Sequence, residues 1–299
     1  MKYQYSSIIG DVVFDNQFHV VEQGHNLFKK YPNLQEPDEH HKVKIQMAMR
    51  DKKFFAAFVK DNIAQTKQDV KRSVIPDNHI VHAVNLLEEL DTLINTIVKR
   101  LREWYELWNP EFSKSIQSHE KFCELIAIKK NEDLLKEINI DRKHSMGAEI
   151  SPKDQDAILQ LARRCRDLYT LRSSTQSYAE SLLQENYPNL CTVAGSAIAG
   201  KLLGHAGTGR RLVMMPASTI QLLGAEKALF RHMRNKRSPP PKYGLLFQHP
   251  FVQSARKSEQ GKHARALADK LSMAVKIDYF KGVYCGDRLK KELEEKFNK

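Results

Sequence analysis

The chain has 299 residues, 41% hydrophobic and 28% charged, and a formal net charge of +12. That apolar content argues against wholesale disorder, and the length suggests about two domains. No apolar run nears the roughly 18 residues of a membrane span, and the four scattered cysteines (Cys123, Cys165, Cys191, Cys285) form no CxxC pair; a zinc ribbon and a secreted disulfide scaffold are disfavoured.

Residues 1–75 read as a small α/β domain. Met1 to Gly10 shows no basic flank followed by an apolar block, so no secretion signal is expected. Val12-Val13-Phe14 and Phe18-His19-Val20-Val21 flank Asp15-Asn16-Gln17, a hairpin pattern. Turn formers follow at Tyr31-Pro32-Asn33 and Glu36-Pro37-Asp38. Phe54, Phe55, Phe58 and Val59 then predict a short amphipathic helix.

Residues 76–187 carry the strongest periodicity. Ile80, Leu87, Ile94, Leu101 and Trp108 recur every seven residues, and Ala83, Leu90, Ile97 and Trp104 fill the second heptad position. This predicts a coiled-coil seam of about four heptads, with Trp104 and Trp108 packed in it. Pro76-Asp77 suits a helix start and Asn109-Pro110 a stop. A second long helix opens at Ser151-Pro152-Lys153-Asp154, where serine caps, proline fits the first turn and aspartate meets the positive helix end. Ile158, Leu161, Cys165, Leu168, Thr175, Ala179 and Leu182 carry its seam to about Asn186, interrupted by Arg172. Shorter helical patterns fill 111–150. An antiparallel helix pair with a helical tip is expected; a bundle core within one domain is the alternative.

Residues 188–299 read as a compact helical domain. Small residues at 193–200 permit close helix approach, Pro239-Pro240-Pro241 marks a stiff loop, and Lys262 to Phe280 and Arg288 to Phe297 read as closing helices. The expected class is therefore mainly α, with a small α/β N-terminal domain (1–75), a long central coiled coil (76–187) and a compact all-α C-terminal domain (188–299).

The charge is unevenly placed. Residues 188–299 hold 21 Lys+Arg against 8 Asp+Glu, whereas 1–187 hold 27 against 28. A basic block confined to one segment points to a polyanion, most often nucleic acid. Catalytic patterns are missing. Gly204 to Arg211 resembles a phosphate loop but lacks the Lys-Ser/Thr pair, and reads as a loop between helices whose backbone N–H groups could meet a phosphate. No GxSxG or HExxH occurs; His119-Glu120 continues as Lys121-Phe122-Cys123, and His40-His41 cannot face one metal from a helix. No catalytic residue, metal site or cofactor is expected on this chain.

The stretch 216–234, Pro-Ala-Ser-Thr-Ile-Gln-Leu-Leu-Gly-Ala-Glu-Lys-Ala-Leu-Phe-Arg-His-Met-Arg, resembles the signature of the Nop-domain family. Leu101-Arg102-Glu103-Trp104-Tyr105 with Asn109-Pro110-Glu111, Met146-Gly147-Ala148-Glu149-Ile150, Lys242 to Phe247, and Gly261 to Ala268 are similar to further stretches of it. The likeness covers about 76–299. The chain departs from it at Phe247-Gln248, where some relatives carry Tyr-His, in a shorter N-terminal domain, and in the absence of a lysine-rich tail.

The resemblance implies the scaffold of a box C/D guide-RNA ribonucleoprotein. In that reading the N-terminal domain holds fibrillarin, a methyltransferase that carries the S-adenosylmethionine. The coiled coil pairs two copies through Ile80, Leu87, Ile94, Leu101, Leu161 and Leu168. The C-terminal domain clamps kink-turn RNA together with its small binding protein. RNA contacts are expected at Lys201, Arg210, Arg211, Gly224, Ala225, Lys227, Arg231, Arg234, Lys236, Arg237, Lys242, Lys262 and Arg265. Contacts to the kink-turn-binding protein are expected at Gln221, Leu222, Glu226 and Gln248. Lys227, Arg231 and Arg234 share a helix face at 3–4 spacing, with Leu229 and Phe230 turned to the core and His232 at the surface or packed. The product would be 2′-O-methylated ribosomal or transfer RNA, made in the cytoplasm of an archaeon or the nucleolus of a eukaryote. The alternatives are a splicing-type or ribosome-assembly RNA binder without a methyltransferase, and an RNA-modifying enzyme in its own right.

Overall fold

The computed structural model describes residues 2–24, 27, 30–31 and 33–297, which divide into two units, Met1–Ile75 and Pro76–Lys299. The expected turn at Tyr31-Pro32-Asn33 includes Pro32, which lies outside the described residues.

In the first unit, β1 (Lys2–Ser7), β2 (Gly10–Phe14), β3 (Val20–Gly24) and β4 (Leu34–Gln35) form one sheet in the order β3-β2-β1-β4. The β2–β3 pair is the expected hairpin: Asp11 faces Gly24, with a bulge between Val13 and Phe14. The Asp15 carboxylate accepts the N–H groups of Gln17 and His19, each at 2.8 Å, and so shapes the turn. Strand β1, not anticipated, pairs antiparallel with β2 and parallel with β4. Helix α1 (Glu39–Ala48), capped by Asp38, lays Ile45 on Val12 and Phe14. The helix expected at Phe54 extends to 21 residues as α2 (Lys52–Arg72), with Phe54 buried and Phe55, Phe58 and Val59 exposed.

The second unit opens with α3 (Pro76–Tyr105), followed by α4 (Pro110–Ser115), α5 (His119–Ile128), α6 (Asn131–Glu137) and α7 (Pro152–Asn186). Ser151 caps as expected, accepting the N–H of Asp154 at 3.3 Å, and Asn109, expected only as a helix stop, also caps α4 by accepting the N–H of Phe112 at 3.0 Å. Helices α3 and α7 pack antiparallel, Ile80 and Val84 sharing a core with Leu183, and Leu101 and Tyr105 with Ile158 and Ala162. Arg172 reaches across to form an ion pair with Asp91, so the seam is polar at its middle.

The seam departs from a strict seven-residue repeat. On α3 the buried positions pass from Ile80 and Ala83 through Leu90 and Ile94 to Val98, Leu101 and Tyr105. A straight α-helix drifts about 20° per heptad against a 3.5-residue repeat. The drift brings Tyr105 inside and leaves Trp104 40% exposed, which corrects its expected packing; Trp108 does pack against the tip core. A second correction concerns the residues expected to pair two copies. Ile80, Ile94 and Leu101 are fully covered by this chain's own helices, and Leu87, Leu161 and Leu168 are half-buried, the last two against the same core. The seam closes within one chain.

Two separated motifs meet at the hairpin's tip. Glu111 accepts the N–H of Met146 at 2.6 Å and the hydroxyl of Ser145 at 2.9 Å. Ala148 donates to the carbonyl of Leu107 at 2.9 Å. A Cβ on Gly147 would sit 2.0 Å from the Trp108 carbonyl oxygen, so only glycine permits this approach.

The C-terminal lobe comprises α8 (Pro188–Ala194), α9 (Ser196–Ala206), α10 (Gly209–Met214), α11 (Ala217–Leu222), α12 (Glu226–Arg234), α13 (Pro250–Gln253), α14 (Gln260–Tyr279) and α15 (Gly286–Glu295). Its core is continuous with the near end of the hairpin, through Ile80, Val84, Leu183 and Tyr187. Residue 188 thus marks a change from long to short helices, not a break in packing. Gly200 lets α9 approach α3: a Cβ there would meet Val84 Cγ2 at 2.9 Å. Half-buried Asp278 on α14 accepts Asn189 Nδ2 at 2.7 Å and Leu190 N at 2.8 Å, tying α8 to α14.

Candidate nucleic-acid interface

The loop before α12 is set by two glycines. Gly224 has φ +84°, a conformation that favours glycine, and a Cβ on it would lie 2.7 Å from Leu245 Cγ. A Cβ on Gly244 would lie 2.0 Å from the Leu223 carbonyl oxygen. Segments 221–223 and 242–245 are laced together: Gly244 N donates to Gln221 O at 3.0 Å, Leu245 N to Leu223 O at 2.8 Å, and Gln221 Nε2 to Lys242 O at 2.6 Å. Glu226 Oε1 accepts the Gly224 N–H at 2.7 Å, fixing the turn into α12. Glu226 and Gln221 therefore have internal partners, while Leu222 stays half-buried.

Helix α12 buries no residue. Lys227, Arg231 and Arg234 stand in solvent as expected. Phe230 is 58% and Met233 60% exposed, which corrects the inward placement of Phe230. The periodic pattern that signals a core-facing helix here serves an outward one, so an apolar stripe lies open beside a cationic one. His232 Nδ1 lies 2.5 Å from the Ser238 carbonyl and holds back the loop that carries exposed Lys236 and Arg237.

Beside it runs a groove of 1010 Å³, lined by Lys242, Lys262 and Arg265 together with Ser218 and Gln221. Lys296 and Phe297 close it from the end of the chain. Sequence reasoning missed Lys296: it belongs to the groove only because α15 folds back on α14, and no local pattern signals that.

Lys201 on α9 donates to Gln248 Oε1 at 2.7 Å, bringing these two expected contacts together. Arg210 and Arg211 are exposed on α10 and do not line the groove. Gly204 to Arg211 resolves into the end of α9, Gly207 at φ +83°, the cap Thr208 and the start of α10. The Gly209 N–H donates to buried Asp77 Oδ2 at 2.7 Å. That amide is taken, which corrects its availability for a phosphate.

One carboxylate, Asp269, lines the groove with Lys242, Lys262 and Arg265, but it is not within ion-pair distance of them. Among the described residues, none of Lys201, Arg210, Arg211, Lys227, Arg231, Arg234, Lys236, Arg237, Lys242, Lys262 and Arg265 takes part in an ion pair, whereas Lys270, Arg288 and Lys291 are paired with Glu292 or Glu295. Unneutralised positive charge repels itself and favours a polyanionic partner. His249 supports the groove's neighbour: its Nδ1 accepts the Phe251 N–H at 3.1 Å and its Nε2 lies 3.1 Å from the Val193 carbonyl. Burial lowers its pKa, as does Lys290, against a raising influence from the Val193 carbonyl. Among the described residues, no group of histidines, cysteines and carboxylates is placed to hold a metal ion.

The family model described as "Nop: snoRNA binding domain, fibrillarin" matches residues 86–299. An uncharacterized NOP5 family protein of Methanocaldococcus jannaschii is 39% identical over 237 residues, covering 75% of this chain and 56% of that protein. Human nucleolar protein 56 is 36% identical, covering 79% and 42%, and Schizosaccharomyces pombe nucleolar protein 58 is 38% identical, covering 68% and 42%. The chain thus spans about half the length of these relatives. A crystal structure of a fibrillarin/Nop5p complex aligns over 99% of this chain and 98% of its own at 26% identity, with a TM-score of 0.48. With the match running through the whole basic lobe and most of the hairpin, the chain belongs to the Nop snoRNA-binding domain family.

Proposed function

We propose that this chain is the scaffold of a box C/D guide-RNA ribonucleoprotein. The observation that carries the reading is the unpaired cationic surface of α12 and the adjoining groove, on a lobe that belongs to a snoRNA-binding family. Lys227, Arg231, Arg234, Lys242, Lys262 and Arg265 engage the phosphates of kink-turn RNA. A-form RNA hides its base edges in a deep major groove, so this recognition is by shape and backbone. Exposed Phe230 and Met233 suit the small kink-turn-binding protein that shares the RNA surface. The N-terminal unit recruits a fibrillarin-type methyltransferase, which brings the S-adenosylmethionine and performs 2′-O-methylation of ribosomal or transfer RNA; this chain supplies placement. With the α3–α7 seam closed internally, pairing of two copies falls to the outer face of the hairpin, where Leu86, Leu93, Leu171 and Tyr178 are exposed. The test is co-purification of guide RNA, kink-turn-binding protein and methyltransferase with the chain, and loss of the methyltransferase alone when residues 1–75 are removed.

A further inference from the structure

The tip of the hairpin holds a separate cavity of 410 Å³ that the RNA surface of the C-terminal lobe does not use. Buried Tyr105 and half-buried Trp108 line it, their rings edge to face with centroids 5.7 Å apart. Four cations, Lys129, Lys130, Arg142 and Arg163, surround it against one carboxylate, Glu132. Lys129 is paired with Glu137, and Arg142 lies 3.3 Å from Glu132 and 3.6 Å from Glu149. Lys130 and Arg163 are exposed and, among the described residues, in no ion pair. Asn131 Oδ1 accepts both the Tyr105 hydroxyl at 3.0 Å and Asn109 Nδ2 at 2.6 Å. Those two bonds settle the orientation of the amide, leaving its NH₂ as a donor at the cavity.

We propose that this tip cavity is a second RNA contact that receives one unpaired nucleotide, its phosphate between Lys130 and Arg163 and its base against Trp108. The volume falls in the range of small-ligand sites, enough for one nucleotide and too small for a base pair with its two backbones. An aromatic face beside unpaired cations is the arrangement that binds single strands without reading sequence. Asn131 adds one hydrogen bond to the base edge. An acidic peptide would meet the same two cations but make no use of the indole. The choice of RNA as the polyanion rests on the scaffold reading; the site itself stands on another core and other residues.

The experiment uses the full chain carrying Trp104→Phe, in which Trp108 is the remaining tryptophan. Titration with a short unstructured RNA is expected to quench Trp108 fluorescence saturably. Combining Lys130→Glu with Arg163→Glu is expected to weaken that binding about tenfold or more, with an unchanged circular dichroism melt; should the double variant fail to fold, Lys130→Gln reads the same loss more weakly. Polyglutamate of equal length is expected to leave the signal unmoved. Charge reversal at Lys227, Arg231 and Arg234 is expected to abolish guide-RNA assembly and keep the quench, separating failure of the lobe from failure of the tip. Absence of a quench, a quench insensitive to the Lys130 and Arg163 variants, or an equal effect of polyglutamate overturns the proposal.

Discussion

The Tyr187 hydroxyl donates to Asp77 Oδ1 at 2.7 Å, joining the end of α7 to the start of α3 across 110 residues. The other oxygen of the same carboxylate takes the Gly209 N–H at 2.7 Å, so one buried side chain pins both hairpin helices to α10. Replacing Asp77 by alanine strands a hydroxyl and an amide in the core. The expected cost is about 2–4 kcal/mol, against about 1–2 kcal/mol for Tyr187→Phe, which strands one carboxylate oxygen, Oδ1, and leaves the Gly209 bond in place. Urea midpoints of the two variants check the order; equal costs would contradict it.

Gly209 itself is a second test of that junction. A Cβ there would lie 1.8 Å from the Tyr187 hydroxyl oxygen. Gly209→Ala must displace the tyrosine from Asp77 and is expected to destabilise by about 1–3 kcal/mol. Gly147→Ala, which meets the Trp108 backbone at the tip, is expected to cost as much while leaving kink-turn RNA binding by the C-terminal lobe of the folded fraction unchanged. Thermal melts together with RNA titrations at a temperature where both variants are folded measure the two effects apart.

Charge reversal at Lys227, Arg231 and Arg234 is expected to remove kink-turn RNA binding by the C-terminal lobe without moving the melting curve, because α12 buries nothing. Each duplex phosphate contact contributes about 0.9 to the dependence of log K on log salt. Neutralising the three by glutamine should therefore flatten that slope by about 2–3. A wild-type slope in the glutamine variant would contradict this assignment of the cations.

His249 predicts an acid sensitivity of the lobe. Its Nδ1 accepts a backbone N–H, so the ring is neutral in the folded state, and burial depresses its pKa below 6.5. A depressed pKa contributes stability that is fully present above the unfolded value of about 6.5 and is lost as pH falls through the folded value. Urea midpoints of wild type and His249→Gln, followed downward from pH 7.5, should therefore converge below about pH 6.5. A constant gap over that range would refute the role given to this ring.

The sequence announced its helix ends more clearly than its helix environments. Ser151 and Asn109 cap where their side chains dictate, because capping is local chemistry within three residues. Burial is not local. Trp104 holds a heptad position yet drifts into solvent, because the helices pack straight and Tyr105 takes its place. Phe230 sits at core-like spacing yet faces outward, because amphipathicity is the same signal whether the apolar face meets a core or a partner. Strand β1 went unread because the turn that follows it is made of Ile8 and Ile9, apolar residues where a turn signal would stand. The uneven charge placed the cations on the C-terminal lobe, while Lys296 entered the groove only through the return of α15.

Reconstitution with mass measurement tests the central claim most directly. Guide RNA containing a kink-turn, its small binding protein, a fibrillarin-type methyltransferase and this chain are mixed and sized by light scattering, and methyl transfer is assayed on a guide-matched substrate. The account predicts one complex containing all four components, active only when the methyltransferase is present, and dispersed by reversing Lys227, Arg231 and Arg234. A chain that leaves the RNA and the methyltransferase apart, or that transfers methyl groups alone, would contradict it.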